Sequence, residues 1–378
     1  MVAREIKYLK TLEALKGEIL SGKYSHRRIF PSVTAVTRRF GISRLTAVKV
    51  FDKLKELGLV HAQPGSGTFV SRNALARTVG LVMPGVAYSE YYQPIISTIV
   101  RLASDEGYAV QLTGVYSQDY ATRVRQARDL AADLIKRHVS GVIYQPLEYL
   151  TGTEDVNDCL LSAFGRAGLP MVLLDSDVVA SPDHSGCDVV SINNFTAGEQ
   201  LAAHLFERGA RHIHFLRRSN WTPDVKNRAH GVACATALRG CKWSEDDCVL
   251  VADPDDVKAV RRHLHTHPDA DAFVCENDTA AVTLCRTLAK LHLKVPDDIM
   301  LAGFDDIRIA SFMTPPLTTI RQPCEAIAEA AFYRLLQRIR NPMLPPQDIY
   351  LPATLVVRES TAGHTLRKNP KSKKGKSR

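Results

Sequence analysis

Nowhere in the 378 residues does an uninterrupted apolar run approach the length of a membrane span. Residues 1–20 carry acids and lysines throughout and lack the apolar centre of a signal peptide, so a cytoplasmic protein is expected. The eight cysteines form no C-x-x-C pair. Several of them (Cys248, Cys275, Cys285) sit inside apolar runs, where a free thiol behaves as a small hydrophobe, so reduced core cysteines are expected. Nucleophile elbow, P-loop, dinucleotide fingerprint and clustered metal ligands are all missing, so no enzyme, cofactor or metal is expected. His263, His265 and His267 alternate, but without Cys or acidic partners at ligand spacing they read as a solvated helix end.

What is present divides unevenly. An apolar fraction of 45% and a charged fraction of 24% are ordinary for a globular protein, and the length suggests two or three domains. The net charge of +9 is not spread evenly. Residues 1–72 hold 14 Lys and Arg against 5 Asp and Glu, and residues 367–378 hold 7 basic residues and no acid. The remaining 28 basic and 35 acidic residues lie between. A basic head on an acidic body points to a polyanion partner for the head; charge alone leaves DNA, RNA and membrane open. The basic run after Arg367 is of low complexity and is expected to be a disordered tail.

In the head, Leu9, Leu12, Leu15, Ile19 and Leu20 recur at helical spacing, and Ser21-Gly22 ends that helix. Ser32 caps a second helix that stops at Gly41, and Ser43 opens a third that runs through Leu57. Helix, glycine turn, helix is the helix-turn-helix arrangement. Residues 59–63 and 68–70 then read as two strands around Pro64-Gly65-Ser66-Gly67, a β-wing. A phosphate loop has to lead into a helix, and this glycine turn leads into a strand. The segments EILSGKY, FPS, FGISRLTAVKVFDKLKELGLV and QPGSGTFV resemble the winged-helix head of the GntR family over about residues 5–71. That resemblance implies DNA contacts from Ser43, Arg44, Thr46 and Gly65. Thr34 and Val48 stand where the family usually has Arg, so Lys49 and Arg44 are expected to carry more of the readout, with Ser32 and Thr34 at the second helix also candidates. Arg38, Arg39 and Lys53 read as a generic phosphate-facing surface.

After a polar stretch at 72–78, apolar strands alternate with amphipathic helices through residue 363. This pattern predicts parallel, doubly wound sheets, and about 280 residues suit two lobes rather than one core. Ligands of such sheets sit off the carboxyl ends of the strands. Asp175, Asn277-Asp278 and Asp305-Asp306 stand there, and the Tyr91-Tyr92 pair after the first strand is placed to stack on a sugar ring. Each of these acids alone could equally be a helix cap. VPDDIMLAGFDDIRIASFMTPPLTTIRQP, with NDTAAVTL, NRAHGV, VSGVIYQP and LPATLVVREST, resembles the LacI/GalR regulators and the periplasmic sugar-binding proteins over about 79–361. The resemblance implies effector contacts from Arg228, Asn277, Asp305, Asp175, Tyr91, Tyr92 and Gln322.

The architecture expected is therefore an N-terminal winged helix-turn-helix (α+β) at 1–71, a linker at 72–78, a two-lobed periplasmic-binding-protein-like α/β body at 79–363 and a tail at 364–378. The partners expected are an approximately palindromic double-stranded DNA operator, a small monosaccharide-like effector and a second copy of the chain. A purine effector, a sugar-binding protein and an α/β enzyme are the alternatives.

Overall fold

The computed structural model describes residues 2–20, 23–24, 30–63, 65–71, 78–83, 90–117, 119–147, 153–179, 183–219 and 222–362. The expected tail, and all of the expected linker but Thr78, lie outside the described residues. Among the described residues no helix is long and apolar enough to cross a membrane.

In the head, α1 (Val2–Leu20), α2 (Val33–Phe40) and α3 (Arg44–Glu56) pack around Leu15, Ile19, Phe30, Val50 and Leu54, all nearly or fully buried. Gly41 sits at φ 58°, a left-handed turn open to glycine, and lets α3 start three residues after that cap, at Arg44. β1 (Val60–Gln63) and β2 (Gly67–Val70) pair antiparallel, Val60 opposite Val70, with Gly65 exposed in the turn between them. Arg39, expected to face phosphate, instead binds Glu18 of α1 (Nη1 to Oε2 2.8 Å), tying α2 to α1. That guanidinium holds the Glu18 carboxyl down at about 2.

The body has two six-stranded sheets. The first contains β3 (Thr78–Val82), β4 (Ala109–Thr113), β5 (Gly141–Tyr144), β6 (Met171–Leu174), β7 (Asp188–Ile192) and β13 (Asp348–Leu351). They lie in the order β13-β7-β6-β5-β3-β4, all parallel. The second contains β8 (Ile213–Arg217), β9 (Val249–Val251), β10 (Ala272–Cys275), β11 (Met300–Asp305), β12 (Thr318–Arg321) and β14 (Thr354–Val356). Its order is β14-β12-β11-β10-β8-β9, parallel except for the antiparallel edge strand β14. Between the strands of the first sheet run α4 (Tyr92–Asp105), α5 (Tyr120–Lys136) and α6 (Thr153–Arg166). The chain changes sheet after β7 through α7 (Asn194–Glu207), returns after β12 through α13 (Cys324–Arg340), and crosses again between β13 and β14. One apolar core runs through both sheets, from Val79 and Ile143 to Val274 and Phe304, with Phe332 of α13 in it.

In the second sheet's half, α8 (Pro223–Leu238) follows β8, and α9 (Glu245–Cys248), α10 (Val257–Thr266), α11 (Asp278–Lys290) and α12 (Arg308–Phe312) complete the helices. The histidines expected at a solvated helix end behave differently. His265 is exposed, but His263 Nε2 lies 2.9 Å from Nδ1 of buried His214 on β8, and the His267 ring packs on both. Burial pushes His214 down to about 3 and His263 to about 4, so these rings pack as neutral side chains.

Candidate functional site

On the head, the exposed end of α3 presents Arg44 and Lys49, and α2 presents Thr34. Ser32 and Ser43 are helix caps, accepting from Ala35 N and Thr46 N, both at 3.2 Å. Thr46 is largely buried, with its hydroxyl 2.8 Å from Ser43 Oγ. Ser43→Ala is expected to destabilise the head by about 1 kcal/mol, with Ser43→Asn restoring most of it, read by urea unfolding.

In the body, among the described residues, three of the five non-glycine residues with positive φ are Asp175 (65°), Asp305 (108°) and Asp306 (52°), each at the carboxyl end of a strand. Asp and Asn tolerate this region better than other side chains, and such strain collects at functional sites. The Tyr91 hydroxyl lies 2.7 Å from Asp175 Oδ1 and 3.2 Å from Gln322 Oε1, and Gln322 Nε2 donates to Asp305 Oδ1 at 2.7 Å. With one proton, Tyr91 donates to the nearer acceptor, Asp175. A polar chain thus joins the end of β6 in the first sheet to the end of β11 in the second through Gln322, at the start of the α13 crossover. Tyr91 is buried and used through its hydroxyl; its ring meets Tyr92 edge to face at 5.1 Å. Tyr91 thus faces the site chiefly through its hydroxyl, whereas Tyr92 is half-buried.

Arg228 of α8 is buried, with Asn194, Glu276, Asp224 and Phe304 among its partners. Its Nε donates to Asn194 Oδ1 (2.8 Å), Nη1 to the Glu276 carbonyl (2.7 Å), Nη2 lies 3.3 Å from Asp224 Oδ2, and its plane sits 4.6 Å over Phe304. Asn194 begins the α7 crossover, so this guanidinium pins that crossover to the ends of β10 and β11. Asn277 does not join the set through its oxygen: Oδ1 accepts from Ala280 N and caps α11. Asp278 and Asp306 are likewise structural, the first holding Thr319 and Ile307, the second Arg321 and Arg358. Asp224, Asn194 and Glu276 escaped the sequence reading. Only Asp224 left a signal there, standing one helical turn before Arg228 where such pairs meet.

Burial pushes Asp175 up to about 7 and Asp305 to about 6, the latter offset in part by Arg228. A carboxyl whose folded pKa exceeds its unfolded value stabilises the fold at low pH, and that contribution is lost as pH rises through the folded value. Between pH 5 and 8, therefore, the unliganded protein is expected to lose on the order of a few kcal/mol through Asp175. Asp175→Asn should flatten that part of the decline, visible as a smaller drop in Tm over the same range. Beside Asp175 lies a cavity of about 360 Å³ reaching Ser191, Asn194, Asp224 and Asn227.

Comparison with known proteins agrees with this division. Residues 7–70 match the gntR family of bacterial regulatory proteins, and residues 202–361 match the periplasmic binding protein-like domain. The arabinose metabolism transcriptional repressor of Geobacillus stearothermophilus is 25% identical over 373 residues, covering 94% of this chain and 97% of the relative. The ribose operon repressor of Escherichia coli strain K12 is 25% identical over 322 residues, covering 84% and 92%. In fold, the chain is similar to the transcriptional regulator CelR in its cellobiose complex (TM-score 0.65, 24% identity, 88% of this chain and 100% of that one). It is also similar to transcription regulator CcpA of Lactococcus lactis (TM-score 0.64, 20% identity, 75% and 99%). The chain therefore joins a winged helix-turn-helix head that matches the gntR family of regulatory proteins to a two-lobed body that matches the periplasmic binding protein-like domain and shares the fold of these regulators.

Proposed function

We propose that the chain is a transcriptional repressor whose affinity for its operator is set by a sugar-like effector held between the two lobes. The observation that carries this reading is the convergence of Asp175, Asp305, Gln322 and Arg228 where the chain crosses between sheets. Hydroxyl-rich ligands need acceptors and donors in fixed directions, and these four side chains supply both. A ligand there touches both lobes, so its binding energy can alter their angle. The shift in operator affinity is limited by the effector's preference for one lobe angle over the other.

Arg44, Lys49, Thr34 and the Gly65 turn form the DNA-facing surface, in a homodimer whose two-fold axis matches a palindromic operator. The protein works in the cytoplasm, where that DNA lies, and it releases its ligand unchanged. Relatives named as repressors of arabinose metabolism and of the ribose operon support a sugar. A thermal-shift panel of monosaccharides and nucleobases is expected to show stabilisation by sugars alone, by about 3 kcal/mol at a hundredfold excess over Kd. Stabilisation by a nucleobase, or by nothing in the panel, would overturn the sugar assignment.

A further inference from the structure

We infer that the effector site selects by charge: it takes neutral and amine-bearing polyols and refuses anionic ones such as sugar phosphates and sugar acids. This rests on the effector-site reading above and gives its ligand a chemical class.

Four of the arginines described around the site are already committed to acids, while Arg308, which shares a cavity wall with Asp305 and Gln322, packs on Phe312. Arg228 is held by Asp224, Arg218 by buried Glu276 and by Asp253, and Arg321 and Arg358 by Asp306. Asp175 and Asp305 are held through side-chain hydrogen bonds by neutral groups only, the Tyr91 hydroxyl and the Gln322 amide. The cavity beside Asp175 has Asp177, Asp183, Asp224 and Asp348 on its walls as well, and among its described lining residues there is one His and no Lys or Arg. An anion entering this space meets acids whose counter-charges are spent elsewhere. An ammonium group meets Asp175 and Asp305, which feel the field of Arg228 but form no ion pair among the described residues.

A second observation points to a polar ligand group at the same place. Gln145, the residue after β5, is fully buried, yet among the described residues neither its carboxamide oxygen nor its nitrogen has a hydrogen-bond partner. β5 pairs with β6, Tyr144 opposite Leu173, so Gln145 stands beside Leu174, one residue before Asp175. Strand alternation sends its side chain to the face of Ile143, which packs in one core with Met83, Leu174 and Tyr91. Buried carboxamides are rarely left unmatched, and a polyol hydroxyl supplies both a donor and an acceptor.

The test is a matched panel of pentoses and hexoses, each as the parent sugar, the amino-deoxy derivative, the uronic acid and the terminal phosphate, titrated calorimetrically at pH 7 into the full chain. For the sugar skeleton that binds, the amino form is expected to bind at least as tightly as the parent. The uronate and phosphate should bind at least about tenfold more weakly. Asp305→Asn should narrow the gap between amino and anionic forms about tenfold, and Gln145→Leu should weaken the parent sugar about tenfold without lowering Tm. An anionic form that binds as well as its parent overturns the charge selection while leaving the sugar reading intact. Binding by no member of the panel overturns both. If Gln145→Leu leaves affinity unchanged and lowers Tm, that carboxamide is structural and the second line of support is gone.

Discussion

Arg228→Ala is expected to lower the melting temperature of the unliganded protein by on the order of 10 °C and to abolish the response to effector. The stability loss follows from what the guanidinium leaves behind. Asp224 is buried and its ion pair is with Arg228, while Asn194 Oδ1 and the Glu276 carbonyl each accept one of its N–H groups. Removing one partner of a buried pair costs about 3–5 kcal/mol, because the remaining charge stays in a poorly solvating interior. For a body of this size each kcal/mol is worth roughly 2–4 °C. Adding Asp224→Asn to the variant removes the orphaned charge and should recover a large part of the loss, so the two substitutions should be far from additive. The functional loss follows from position: Asn194 opens one crossover, and Arg228 holds it against the second sheet. Kept below its lowered melting temperature, the variant should still bind operator DNA, since the head's core is separate from the body's. A melting temperature within 2 °C of the parent would show that Asp224 does not depend on this pair.

How far the sequence reveals such a site depends on how locally each part is encoded. β5, β6, β9 and β10 appear in the structure with the bounds their apolar runs suggest; three of the four are buried at every position. β12 reads Thr-Thr-Ile-Arg, with no apolar run to betray it, and β13 alternates exposed with half-buried residues at the edge of its sheet. The three crossings between sheets leave no local mark at all, since a helix after β7 looks the same whichever sheet follows. At the site, Asp175 and Asp305 stand at the strand ends their apolar runs predict, while Arg228 stands on a helix. Asn277 shows the limit of the method: a polar residue between a strand and a helix has the same one-residue signature whether it caps, binds or does both, and only the hydrogen bond from Ala280 N to its Oδ1 shows the cap.

Gly231→Ala should be nearly as damaging as the loss of Arg228, although it adds a single methyl. A Cβ at Gly231 would stand 2.0 Å from the Phe195 carbonyl oxygen and 2.9 Å from Glu199 N; one at Gly198 would stand 2.2 Å from the Arg228 carbonyl oxygen. The two glycines thus let the backbones of α7 and α8 touch, and neither neighbour is a side chain that could rotate away. The helices must separate, and the cost should reach the upper part of the 1–3 kcal/mol usual for overpacked cores or exceed it. α8 also carries Asp224 and Arg228, while α7 begins with Asn194, so separation breaks the register of the very groups that define the site. A displacement of about 1 Å is enough to cost on the order of a hundredfold where geometry is demanding, so effector affinity should fall at least tenfold. Gly165→Ala in α6 is the contrast: nothing lies within 4 Å of its added methyl, and better helix propensity should leave stability unchanged or raise it by about 0.5–1 kcal/mol. Equal melting temperatures for the two alanine variants would mean that α7 and α8 are not in backbone contact. A drop confined to Gly231→Ala, together with weakened effector binding, would tie the site's geometry to the closeness of these two helices.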